Sequence, residues 1–141
     1  MTTTVTTPAR PLSALATAAA ARVTGAVLAL GVGYVHVVDQ GGIIGDKTPR
    51  YVGVGYWMVE LVAIAVAVLL VSGRSLRTAW VLALGVGAGP MVGFILSRGP
   101  GLPNYTDDRG NWTEPIGVVS LALEGALILL AVTVLARRRR A

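Results

Sequence analysis

Four apolar stretches divide this chain, at about residues 20–38, 51–72, 78–97 and 115–136. Each is long enough to cross the hydrocarbon core of a bilayer, which takes roughly 20 residues of α-helix at about 1.5 Å per residue. Within lipid, every backbone N–H and C=O must be satisfied by the segment itself or by a closed barrel. Runs of this length therefore predict an all-α, polytopic membrane protein with four transmembrane helices. Of the 141 residues, 54% are hydrophobic and 13% charged, and the mean hydropathy is +0.69, a balance that suits one membrane domain and leaves no room for a second.

The net charge of +5 resembles a nucleic-acid signal until it is mapped. Arg10 and Arg22 lie at the start, Arg74 and Arg77 in the second turn, and Arg137 to Arg140 at the end; only Lys47, Arg50, Arg98 and Arg109 lie in the other two loops. The positive-inside rule then places both termini in the cytoplasm and loops one and three outside, so these are topology signals and no nucleic-acid partner is expected. Residues 1–19 read as a flexible cytoplasmic tail, 20–136 as the transmembrane domain, and 137–141 as a basic cytoplasmic tail. The hydrophilic lead is long for a signal peptide, and the first stretch reads as a retained helix with Arg22 snorkelling to the headgroups. The expected location is a bacterial cytoplasmic membrane, with the lipid bilayer as the first partner and a homo-oligomer or a membrane protein as further ones.

With no cysteine in the chain, disulfides, thiolate nucleophiles and Cys-based metal centres are excluded. The Glu-x-x-His pairs of di-iron bundles are also missing, as are a phosphate loop, a Ser-His-Asp set and haem ligands. No cofactor and no metal are expected.

Against this background Glu60 and Glu124 stand out, because each lies mid-way along an apolar run in a chain with only seven acidic residues. A carboxylate in hydrocarbon costs several kcal/mol unless protonated, paired or wetted, so it marks a functional site by default. Nine residues from the starts of their helices, both lie about 13 Å deep. The expectation is that they meet as a two-carboxylate site sharing a proton. Tyr56 and Ser120, each four residues earlier, offer a hydroxyl to the same helix face. His36 and Asp39 lie on one face near the outer end of the first helix and extend the proton- or ligand-binding set.

The string Val-Leu-Ala-Leu-Gly-Val-Gly occurs at 27–33 and again at 81–87, as a tandem duplication of a helical hairpin would leave it. On that alignment Glu60 and Glu124 are counterparts. Gly85, Gly89 and Gly93 form a GxxxGxxxG stripe expected to pack against a neighbouring helix, with Pro90 kinking the chain among them.

The third loop is rich in Gly and Pro and reads as a lid. Arg98 is expected to pair with Glu114, Asp107 or a lipid phosphate, and Trp112 belongs with Tyr51, Tyr56, Trp57 and Tyr105 in an interfacial aromatic belt. The string Ser97-Arg98-x-x-Gly101-Leu102-Pro103, followed by Trp112-x-Glu114-Pro115-x-Gly117 and then Glu124, resembles a group of uncharacterised four-helix integral membrane proteins of actinobacteria. The resemblance covers mainly residues 85–125. This chain carries Gly99-Pro100 where that group has a Thr-rich pair. The resemblance implies the four-helix fold and no activity.

These readings leave three functions open. The first is an outward-facing site binding a proton, a cation or a small amphipathic ligand, as in a small transporter. The second is an accessory or assembly subunit of a membrane complex. The third is an intramembrane enzyme in which Glu60 or Glu124 protonates an apolar substrate.

Overall fold

The computed structural model describes residues 12–140. Its four helices are α1 (Leu12–Asp39), α2 (Arg50–Ser72), α3 (Leu76–Arg98) and α4 (Pro115–Arg140). All four are long and apolar enough to cross a membrane. Among the described residues there is no strand, only one isolated bridge between Leu102 and Tyr105 in the third loop.

The helix boundaries follow local chemistry. α1 begins eight residues before the expected start, so residues 12–19 are helix and not a flexible tail. Half of this segment is alanine, the best helix former, and no Gly or Pro interrupts the ladder. The rest of the expected tail lies outside the described residues. α2 follows extended Pro49 and stops at Gly73, whose φ of 72° is the left-handed conformation that glycine adopts without strain. α4 opens on Pro115, whose missing N–H is harmless in the first turn. It continues through Arg137 into the basic segment expected to be a tail, where cations complement the C-terminal end of the helix dipole.

The helices run up and down in sequence order. α1 packs on α2 and α4, α3 packs on the same two, and α1 also touches α3. α2 and α4 make no close approach and so occupy the long diagonal of the bundle. The end bearing loops 40–49 and 99–114 is called here the loop end, and the opposite one the terminal end.

Small residues let the backbones come together. Trp80 on α3, 1% exposed, fills the hollow left by Gly25 of α1, where an added Cβ would lie 2.6 Å from the indole. Around it are Ala26, Ala29, Ala79 and Ala83, with Leu70 and Leu127 fully buried beside them. Arg22 reaches from α1 to the last turn of α2, donating from Nε to the Leu70 carbonyl and from Nη2 to that of Val71, both at 2.7 Å. The side chain expected at the headgroups therefore satisfies carbonyls that the end of α2 leaves open.

Both copies of the repeated string do the same packing work. Ala29 and Val32 in the first copy, Ala83 and Val86 in the second, are all 0–2% exposed. In each copy the final glycine lies against the backbone of the glutamate helix next in sequence: Gly33 beside Glu60 Cα at 3.8 Å, and Gly87 beside the Glu124 carbonyl at 2.9 Å, as measured from an added Cβ.

The GxxxGxxxG stripe departs from expectation. A Cβ on Gly85, Gly89 or Gly93 would meet nothing within 4 Å, so no helix of this chain rests on them. Among the glycines that do admit a neighbour are Gly25, Gly33, Gly87 and Gly117, the last directly under Phe94. Spacing alone does not reveal which face of α3 turns inward. The answer comes from Trp80, Ala83 and Gly87, at i, i+3 and i+7 on another face.

Candidate functional site

A cavity of about 360 Å³ occupies the loop-end half of the bundle. α1 contributes Val35, His36 and Asp39, and α2 contributes Tyr51, Gly55, Tyr56 and Val59. α3 contributes Gly89, Pro90, Gly93, Phe94 and Arg98, and α4 contributes Ile116, Gly117, Ser120 and Glu124; Leu102 and Tyr105 lie over the top. The space exists because α2 and α3 face one another there through glycines, whose missing side chains leave the room unfilled.

Glu124 is the buried acid of this site. It is 2% exposed; Ser120 Oγ donates to its Oε1 at 2.6 Å, and Oε2 has no partner. The Ser120–Glu124 pair at i and i+4 is the one expected from spacing.

Glu60 does not join it. It is 9% exposed, lies outside the cavity lining, and accepts a hydrogen bond at Oε1 from Gln40 Nε2 at 2.6 Å. The expected two-carboxylate site is therefore not formed. Gly31 lies against Leu123 and Gly33 against Glu60, so the two acids sit at similar levels along the bundle. They are kept apart because α2 and α4 stand on its long diagonal, with the α1–α3 contact between them.

Nor does Tyr56 serve Glu60. Its hydroxyl donates to Asp39, which also pairs with Lys47 at 3.2 Å. The His36 and Tyr56 rings stand 5.0 Å apart, and His36 Nδ1 donates to the Val32 carbonyl at 2.9 Å. His36 and Asp39 thus both reach the cavity as a shared face implies, but each is anchored elsewhere.

Arg98, 9% exposed, ends α3 beneath the third loop. It pairs with Glu114, as expected, and with Asp108 at 3.1 Å in place of Asp107. Its guanidinium also lies 4.5 Å over the Phe94 ring, and Trp112 meets the same ring edge-on at 6.0 Å. Tyr105 donates to Asp108 at 2.6 Å, and Tyr51 ties the loop to α2 through the Pro103 carbonyl at 2.7 Å. Burial first, and then the Asp108 carboxylate, push the pKa of the Tyr105 hydroxyl well above its ordinary value. The loop is thus a strapped cover over the cavity.

Sequence reasoning missed Gln40, Lys47 and Asp108. Gln40 had a weak signal as a lone amide after an apolar helix, but its burial depends on loop 40–49 folding back so that Gly45 lies against it. Lys47 and Asp108 reach their partners only through loop paths that periodicity does not encode. Among the described residues no group of three or more His, Asp or Glu side chains is placed to hold a metal ion. Comparison of the chain with protein-family models, curated proteins and solved structures finds no match.

Proposed function

We propose that this is a multi-pass membrane protein that binds a small amphipathic molecule with a cationic or proton-donating head, Glu124 supplying the negative charge or acceptor oxygen that receives it. The observation that carries the reading is Glu124 itself: a carboxyl 2% exposed, with one oxygen held by Ser120 and the other unpartnered, lining a cavity that it shares with Val59, Gly89, Gly93 and Ile116 and with the polar His36, Asp39, Tyr56 and Arg98. Buried polar groups are normally satisfied, so an orphaned oxygen at a cavity marks a place for a donor.

The cationic character of the ligand follows from the company Glu124 keeps. Among the charged groups that line the cavity or pair with its lining, Asp39, Asp108 and Glu114 face only Lys47 and Arg98, so acid is in excess even before Glu124 is counted. Tyr51, Tyr56, Phe94 and Tyr105 line the same space, and the Tyr56 and Phe94 rings already take the Lys47 and Arg98 cations at 5.3 and 4.5 Å, the kind of contact an organic cation would make there.

Membrane residence is supported by the exterior, where Val27, Tyr34, Leu61, Val71 and Leu129 are 64–71% exposed. Such a surface suits acyl chains and not water. With loop-end residues outside and both termini in the cytoplasm, the arginines at the terminal end obey the positive-inside rule and the cavity opens to the outer side. The resemblance of the loop string to the actinobacterial four-helix group points to a bacterial cytoplasmic membrane.

Two experiments test this. Because the chain has no cysteine, single replacements Thr106→Cys and Ser75→Cys can be labelled in intact cells with a membrane-impermeant maleimide. Only position 106 should react; labelling at 75 alone would invert the topology. In lipid nanodiscs, Glu124→Gln should weaken butylamine binding at least tenfold while its helical circular dichroism is unchanged. Undiminished binding by that variant would remove Glu124 from the site.

A further inference from the structure

The open glycines of α3 carry information that helix packing leaves unused. Gly85, Gly89 and Gly93 recur every fourth residue and so form one stripe, about 12 Å long at 1.5 Å per residue. Gly89 and Gly93 line the cavity, as does Gly55 on α2, which is equally free of neighbours. Gly85 does not line it, yet it is exposed and has nothing within 4 Å. The stripe therefore starts inside the cavity and comes out on the bundle exterior, one turn from Val81, which is about half exposed.

A groove of small residues would mean little alone. Here its upper part shares the cavity with Glu124, whose buried Oε2 lacks a partner. A polar anchor inside and an apolar exit outside are the two halves of a lipid-like amphipath. We infer that the ligand is a single-chain amphipath drawn from the bilayer: its cationic head occupies the cavity at Glu124, and its hydrocarbon chain leaves between α2 and α3 over Gly89 and Gly85. This rests on the preceding reading and adds to it the chain and the route of entry. The groove's fourfold spacing gives the chain a continuous bed on one helix face, and the bilayer beyond Gly85 accepts whatever length remains.

The test uses two amines in lipid nanodiscs, at matched concentrations in the bilayer, read as ligand-induced shifts of thermal unfolding. Dodecylamine is long enough to pass Gly85 and butylamine is not. Gly85→Leu should weaken dodecylamine at least fivefold and leave butylamine within twofold, while Gly89→Leu, inside the cavity, should weaken both. Gly85→Ala, shallower, should fall between wild type and Gly85→Leu for dodecylamine. All three substitutions point into open space, so the fold is expected to hold.

The inference is overturned if Gly85→Leu leaves dodecylamine unaffected, if it weakens the two amines equally, or if it alters the oligomeric state while both amines bind as before. The last outcome would make the glycine face a contact between copies of the chain. A wild-type protein that binds neither amine would instead remove the reading beneath, separating that failure from a failure of the route.

Discussion

The two helical hairpins solve one packing problem and reach opposite results. In α1–α2 the glycine ending the repeated string, Gly33, receives Glu60; in α3–α4 its counterpart, Gly87, receives Glu124. Seven residues past the glycine the first hairpin has Gln40, which donates to Glu60, and the second has Phe94, which covers Gly117 instead. Glu60 is thereby capped at the edge of the bundle, while Glu124 takes the hydroxyl of its own helix and keeps an oxygen free at the cavity. A glutamate packed on glycine is thus not yet a site. What stands one or two turns along the neighbouring helix decides whether it is quenched or left available.

Substitutions that treat the hairpins alike should expose this asymmetry. The largest effect is expected from Gly87→Ala, whose Cβ would lie 2.9 Å from the Glu124 carbonyl and 2.7 Å from Ile128. A backbone atom cannot yield as a side chain can, so overpacking should cost about 1–3 kcal/mol in equilibrium unfolding. Gly33→Ala meets Ala63 Cβ at 3.2 Å, and a helix-propensity gain of about 1 kcal/mol should offset the crowding. Equal costs would mean that the two hairpins pack equivalently after all.

The next contrast is between the acids. Glu124→Gln should lose at least tenfold in amine affinity, about 1.4 kcal/mol. Glu60→Gln, still able to share a hydrogen bond with Gln40, should stay within twofold in the same titration. A Glu60 effect as large as that of Glu124 would revive a joint site. Smaller again is Ser120→Ala, which removes the single hydrogen bond on Glu124 and should cost about 0.6 kcal/mol, the usual worth of such a bond between membrane-embedded groups; no change would mean that Oε1 is served by water in its place.

The smallest effect concerns the cover that only the second hairpin carries. Tyr105 holds its proton more tightly in the folded protein than in the unfolded chain. Its contribution is therefore fully present below the ordinary tyrosine value of about 10 and lost as pH rises through the higher folded value. Thermal melts across the alkaline range should show a flatter decline for Tyr105→Phe than for wild type. Parallel declines would mean that the Tyr105–Asp108 strap adds nothing to stability.

Helix number and approximate spans were legible because four separate apolar runs of about 20 residues are each long enough to form a crossing helix. The Ser120–Glu124 pair and the Arg98–Glu114 tie were legible too, since the first is fixed by helix periodicity and the second by charges flanking one loop. The separation of Glu60 from Glu124 was not, because equal depth says nothing about azimuth, and azimuth here is set by which diagonal of the bundle is short. The same gap hid the role of Gly85, Gly89 and Gly93. Their spacing marks a smooth stripe, but only the positions of Trp80 and Gly87 show that it faces away from the packed core.

The reach of Arg22 across to the end of α2 has a consequence for assembly. Helices surfaced with alanine, valine and glycine have shallow ridges, and two of them can slide past one another by a turn at little loss of contact. Moving α2 by one turn, about 5.4 Å, would carry its terminal carbonyls off the guanidinium and strand both. The arginine thus acts as a detent for the first hairpin, holding the axial register of α1 against α2.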